Sequence, residues 1–252
     1  MAGNLVEIKD LHKRFGEQVV LNGVSIDVAE GQNLVVFGKS GTGKSVLLKC
    51  MVGLLVPDQG DITIAGEKVL TLSLKELNEL RKHLGFLFQS AALYDSMSVR
   101  ENLSFPLIRN FNFTQGEIDK KVERALDRVG LLFAIDKMPS ELSGGMRKRV
   151  GLARSIITEP KLMLYDEPTT GLDPITTKEI SKLIRDLQAE LKMTSVAVTH
   201  DLICAQIISD YAIVLHEGNI RYRGDLTQLT LSDDPFLKNF FSSEVFEDSY
   251  GS

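Results

Sequence analysis

The sequence predicts an α/β domain with a largely parallel central sheet, a β-rich lobe at its N-terminal end and an inserted helical lobe. Short apolar runs without alternation recur at 34–37, 84–88, 161–165 and 195–198, as expected of strands covered on both faces. Between the later runs lie amphipathic stretches with helix-capping signals. The first lobe is marked by β-like runs at 6–8, 19–28 and 61–64, punctuated by Gly16, Gly31, Gly60 and Gly66.

The helices follow in order. Ser73 with Glu76 forms a capping-box pattern, and Leu74, Leu77, Leu80 and Leu84 continue at helical spacing. Thr114 with Glu117 repeats the signal ahead of Ile118, Val122, Ala125, Leu126 and Val129, with Gly130 as the stop. Asp173-Pro174 opens a third helix that carries Ile180, Leu183, Ile184, Leu187 and Leu191 inward. Phe236 to Phe241 reads as a short amphipathic segment with Phe240-Phe241 available for docking on a partner, and 244–252 as a frayed polar tail.

With 252 residues, 43% hydrophobic and 25% charged, the chain can bury a sizeable core, which excludes disorder for its bulk. A net charge of −5 argues against a nucleic-acid partner. The longest apolar runs, such as 50–56, fall far short of the roughly 18 residues that span a bilayer. Met1 to Asp10 lacks the apolar segment of a secretory signal. Cys50 and Cys204 read as small core residues in a reducing compartment. His12, His83, His200 and His216 lack metal-ligand spacing.

Two motifs carry chemistry. Gly38-Lys39-Ser40-Gly41-Thr42-Gly43-Lys44-Ser45 fits G-x-x-x-x-G-K-[ST] and lies between a strand and a helix. Its glycines let successive N–H groups wrap a polyphosphate, Lys44 reaches the β/γ-phosphates, and Ser45 holds Mg²⁺. The run Lys161-Leu162-Met163-Leu164-Tyr165-Asp166-Glu167 is an apolar strand ending in two carboxylates. Asp166 suits the metal, and Glu167 suits a water beside the γ-phosphate.

Leu142-Ser143-Gly144-Gly145-Met146 resembles the LSGGQ signature of ATP-binding-cassette (ABC) ATPases, with methionine where most members have glutamine. Gln89, Gly171-Leu172-Asp173 and Thr199-His200-Asp201 resemble that family's Q-loop, D-loop and switch histidine, in the family order. The resemblance implies a P-loop NTPase (RecA-like) core with an antiparallel β lobe. One ABC domain would cover 5–224: β lobe and core to about 90, helical lobe about 90–155, core about 156–224. A C-terminal extension would occupy 225–252. It further implies Phe15 stacking on adenine and ATP bound by the phosphate loop. It implies Mg²⁺ on Ser45, Gln89 and Asp166, and catalysis by Glu167, His200, Gln89 and Lys44. Ser143, Gly144, Gly145 and Asp173 would reach the ATP of a second copy in a nucleotide-sandwich dimer. Arg147, Lys148 and Arg149 read as a solvated face.

The absence of a heptad run between Ser45 and Leu142 disfavours the DNA-repair branch, and a single cassette disfavours the translation branch. The stretch from Phe88 to Val99, with Glu101-Asn102-Leu103, Pro106-Leu107 and Asp173-Pro174-Ile175-Thr176, resembles the Mla-type lipid-transport ATPases. That implies a peripheral ATPase on the cytoplasmic side of the inner membrane, energising phospholipid transport through integral-membrane permease subunits. A small regulatory subunit and a periplasmic lipid-binding subunit are the further partners implied. Leu93, Tyr94, Met97 and Val99 would form the groove that receives the permease. The alternatives are the ATPase of another importer or exporter, or a cell-division-type regulator that transports nothing.

Overall fold

The computed structural model describes residues 3–39 and 41–247, with 242–247 described by backbone alone. The chain begins β1 (Asn4–Phe15), β2 (Gln18–Ala29), β3 (Asn33–Phe37), α1 (Lys44–Met51), β4 (Gln59–Ile64) and β5 (Glu67–Lys68). It continues α2 (Leu74–Arg81), β6 (Leu84–Leu87), α3 (Val99–Asn110), α4 (Gln115–Arg128), α5 (Gly144–Ile156), β7 (Leu162–Asp166) and α6 (Pro174–Leu191). Then come β8 (Thr194–Thr199), α7 (Leu202–Ile208), β9 (Tyr211–His216), β10 (Asn219–Gly224), α8 (Leu226–Thr230) and α9 (Pro235–Glu247). Two compact units result: Met1–Leu72 with Val196–Ser252, and Ser73–Ser195.

In the first unit, β2-β1-β4-β5 form an antiparallel sheet in which Ile8 pairs with both Ile26 and Ile62. Their inward side chains are fully buried, so alternate residues of these strands supply the lobe's core. Separately, β3 pairs in parallel with β9, from Leu34↔Tyr211 to Phe37↔Val214, and β10 runs antiparallel to β9. Every residue of β3 is buried. Its entry is pinned by Asn33, whose backbone N–H and Nδ2 both donate to the Asp210 carboxylate at 2.9 Å.

The exit of β3 is held by α9. The Phe37 and Phe241 rings meet edge to face at 5.5 Å, and Phe241 in turn meets Phe240. Both α9 rings are buried, so the Phe240-Phe241 pair belongs to the core of this unit and is not a free docking surface. The expected polar tail also begins later, because 244–247 continue α9, while 248–252 lie outside the described residues.

In the second unit, β6 and β7 pair in parallel from Leu84↔Leu162 to Leu87↔Tyr165. The capping signals act as read. The Ser73 and Glu76 pair closes reciprocally, and the Glu117 carboxylate accepts from both the N–H and the hydroxyl of Thr114. Ile118, Val122, Ala125, Leu126 and Val129 are buried. α2 departs from its periodicity: it stops at Arg81, Leu84 starts β6, and Leu74 is 71% exposed. Leucine spacing alone set that expectation, and strand pairing with β7 overrides it.

Two outcomes test this packing. Phe241→Ala is expected to cost about 3–5 kcal/mol in urea unfolding; a cost under about 1 kcal/mol would contradict the Phe37 contact. Cys50 and Cys204 are free and buried, and burial pushes the Cys50 thiol up to about 11, against the opposing Lys13 charge. Since the thiolate is the reacting form, iodoacetamide near pH 8 should label Cys50 only after unfolding. Rapid labelling of the folded chain would show that it is not enclosed.

Candidate nucleotide-binding and hydrolysis site

The phosphate loop leaves the buried end of β3 and enters α1. Lys44 and Ser45 are the first residues of that helix, so their N–H groups point back along the loop. Gly41 and Gly43 have φ of +81° and +98°, the region where only glycine is unstrained. Space is as restrictive as angle. A Cβ on Gly43 would lie 2.8 Å from Val20, and one on Gly38 would lie 2.9 Å from the Leu215 carbonyl. The Thr42 N–H and hydroxyl both donate to the Lys39 carbonyl, tightening the loop. Lys44 is buried and its ammonium donates to the Gly38 carbonyl at 2.5 Å and the Lys39 carbonyl at 3.3 Å. Its charge is therefore held over the loop's main chain, where an anion bound by the N–H groups would meet it. Ser40 lies outside the described residues.

Also in the first unit, Phe15 ends β1 beside the tight turn at Gly16 and is 48% exposed, with the Lys13 ammonium 5.4 Å from its ring centre. An exposed aromatic face suits base stacking. His200 follows the buried Thr199 and precedes Asp201, which caps α7 by accepting from the Cys204 N–H. The Asp201 N–H donates to Thr199 Oγ1. His200 thus stands exposed between two anchored neighbours.

The second unit holds the carboxylates. β7 is buried through Asp166, and Glu167 turns out of the strand with φ +50°, a left-handed conformation uncommon for a residue with a β-carbon. Thr170 Oγ1 donates to Glu167 Oε2 at 3.4 Å. Gln89 follows the end of β6 and Glu167 the end of its parallel neighbour β7, so both stand past the carboxyl ends of the paired strands. Ligands of open parallel sheets bind at such ends.

The signature loop is an exposed helix start. Ser143 caps α5 by accepting from the Met146 N–H at 3.2 Å, while Gly144 is exposed with nothing near its Cβ position. Methionine at 146 takes part through its backbone, so the missing glutamine leaves the cap intact. Asp173 caps α6, accepting from the N–H groups of Ile175 and Thr176 and from the Thr176 hydroxyl. The Thr176 side-chain and backbone bonds hold its carboxyl below the usual range.

Three roles escaped the sequence. Asn102 is fully buried. It accepts from the Tyr94 N–H and donates to the carbonyls of Tyr94, Met97 and Ser98, fixing the turn after Gln89. Arg154 donates to the Ala92 carbonyl at 2.6 Å and lies over the Tyr94 ring. Lys148 is not on a solvated face: Arg147 is exposed and Arg149 partly so, but Lys148 is 7% exposed. Burial pushes its ammonium down from the usual lysine range, opposed by the Glu167 and Asp166 charges. The four residues expected to line an apolar docking groove do not share one exposed surface. Tyr94 is exposed and Leu93 and Met97 half-buried, but Val99 is wholly within the core.

The strand–loop–helix at 33–51 and the acidic end of β7 define a P-loop nucleotide-binding protein of the α/β class. The ABC transporter family profile matches residues 21–170. The chain is 39% identical to the intermembrane phospholipid transport system ATP-binding protein MlaF of Haemophilus influenzae, over 97% of this chain and 92% of that one. It is 43% identical to the protein TRIGALACTOSYLDIACYLGLYCEROL 3, chloroplastic, of Arabidopsis thaliana, over 96% of this chain and 74% of that one. Among solved structures, the ATP-binding cassette MJ0796, a dimeric post-hydrolysis state bound to ADP and Pi, superposes with TM-score 0.80 at 31% identity. That match covers 88% of this chain and 98% of the cassette. The chain belongs to the ABC transporter family, as one of its ATP-binding, ATP-hydrolysing subunits.

Gly43→Ala tests the phosphate loop. The added Cβ is strained in angle and meets Val20, so affinity for a fluorescent ATP analogue should fall about tenfold or more, with the circular dichroism spectrum retained. Unchanged affinity would remove the loop from the binding site.

Proposed function

We propose that this chain energises phospholipid transport through a separate permease pair in the membrane, acting as a dimer of two copies. The observation that carries the reading is the near full-length similarity to a phospholipid-transport ATP-binding protein, over 97% of this chain and 92% of that one. No helix among the described residues is long and apolar enough to cross a membrane. In this reading the permease makes the crossing and this chain sits against the cytoplasmic face of the inner membrane. Within the second unit, a groove of about 190 Å³ is lined by Phe86, Phe88 and Pro106 together with Arg81, Lys82 and Arg154. Its mixed apolar and cationic lining suits a short amphipathic helix of the permease. A small regulatory subunit and a periplasmic lipid-binding subunit complete the assembly that this reading implies.

The residue roles follow from chemistry. ATP phosphates are taken by the N–H groups of the 38–45 loop, with Lys44 exchanging carbonyl oxygens for those of the β- and γ-phosphates. Phe15 stacks on the adenine. For magnesium, Asp166 offers a buried carboxylate, Gln89 an amide oxygen and Ser45 a hydroxyl, all hard oxygen donors of the kind Mg²⁺ prefers. When bound, Mg²⁺ neutralises charge on the phosphates. Glu167 orients the attacking water and takes its proton as the water oxygen bonds to phosphorus and the bond to the ADP oxygen breaks. His200 and Gln89 contact the γ-phosphate and the water. Ser143, Gly144, Gly145 and Asp173 meet the ATP of the second copy. Since one side of each ATP then comes from the other copy, nucleotide occupancy and dimer closure are linked.

Glu167→Gln separates binding from chemistry. ATP affinity should stay within about twofold of wild type, while phosphate release falls by about 100-fold or more. In vesicles carrying the permease, the same variant should abolish lipid transfer. Near wild-type turnover would remove Glu167 from catalysis, and transfer of no lipid by the wild-type complex would refute the transport reading.

A further inference from the structure

The helix that begins with the signature, α5, turns one stripe toward the loop following β6. Gly151 comes first because it admits the closest approach: a Cβ there would lie 2.7 Å from the Ala91 β-carbon. One turn later, Arg154 donates to the Ala92 carbonyl. One turn earlier, Lys148 donates to the Gln89 carbonyl at 2.5 Å. Residues at this spacing share one helix face, so the loop is gripped at three points by one rigid element. The grip matters because Ala91 and Ala92 have φ of +61° and +48°, a conformation such residues leave unless held.

Lys148 does more than grip. Its ammonium also donates to the carbonyl of Glu167 at 3.4 Å, and Glu167, like Ala91 and Ala92, is a left-handed residue held by α5. Among the described residues it has no carboxylate within ion-pair distance; two main-chain carbonyls satisfy it. Burying the ammonium costs desolvation, which its bonds to the two carbonyls and the nearby Glu167 and Asp166 charges offset. What the lysine supplies, and methionine does not, is a fixed distance between two backbone points.

We propose that Lys148 is a positioning residue for ATP hydrolysis: by binding the carbonyls of Gln89 and Glu167 together, it sets the glutamine and the catalytic carboxylate relative to each other and to the signature helix. This rests on the roles proposed above for Gln89 and Glu167.

The test uses the purified full-length chain and steady-state MgATP turnover, with Glu167→Gln measured alongside. Lys148→Met should remain folded, with a melting temperature at or modestly below that of the wild type. Its KM for ATP should stay within about twofold while kcat falls about tenfold or more. Lys148→Gln, whose amide still offers two donors, should recover at least about threefold of that loss in kcat. A folded Lys148→Met with wild-type kcat, while Glu167→Gln is inactive, overturns the positioning role alone. An active Glu167→Gln overturns the site reading beneath it. Failure of both Lys148 variants to fold also overturns the proposal, since it assigns the side chain to the fold rather than to the reaction.

Discussion

The close fit of main chain against main chain at the phosphate loop is the constraint on which the first unit depends. Backbone N–H groups can wrap an anion only where no side chain intervenes, and Gly38 and Gly43 sit where a Cβ would strike the loop's own surroundings. The loop must then be aimed by what holds β3. Asn33 fastens the start of that strand to Asp210, β9 fixes its register, and Phe37 at its end is closed by Phe241. The C-terminal helix thereby bears on the strand that delivers the phosphate loop, although it lies two hundred residues away in sequence.

In the second unit the corresponding constraint is strain at strand ends. Ala91, Ala92 and Glu167 all adopt left-handed conformations just past β6 and β7. Such residues persist only where their surroundings over-determine them, and here α5 supplies much of that determination through Lys148, Gly151 and Arg154. Asn102 supplies more from α3, spending its whole amide on the turn from Tyr94 to Ser98. The helix that Ser143 caps thus also shapes the neighbouring loops that carry Gln89 and Glu167.

Local signals were legible in the sequence, and signals created by packing were not. The capping pairs at Ser73, Thr114 and Asp173 depend on residues a few positions apart, and each forms as its spacing suggested. The phosphate-loop strand and helix were legible for the same reason. Lys148 was misread because three consecutive cations look like solvent-exposed surface, whereas its neighbour across space is a pair of carbonyls no sequence window contains. Gly151 in mid-helix was the available clue, since glycine there marks a close approach. Phe240-Phe241 looked unpartnered because Phe37 lies at the other end of the chain. Leu74 and Leu84 show the converse, apolar periodicity that tertiary structure does not use as one helix face.

In the proposed dimer, one chain carries only part of each working site, with the signature of a second copy completing it. The direct measurement is ATP turnover per chain as a function of chain concentration, with the association state followed in parallel. Turnover per chain should rise with concentration and level off as the nucleotide-bound dimer saturates. A constant turnover per chain, maintained where the protein remains monomeric with ATP bound, would contradict it.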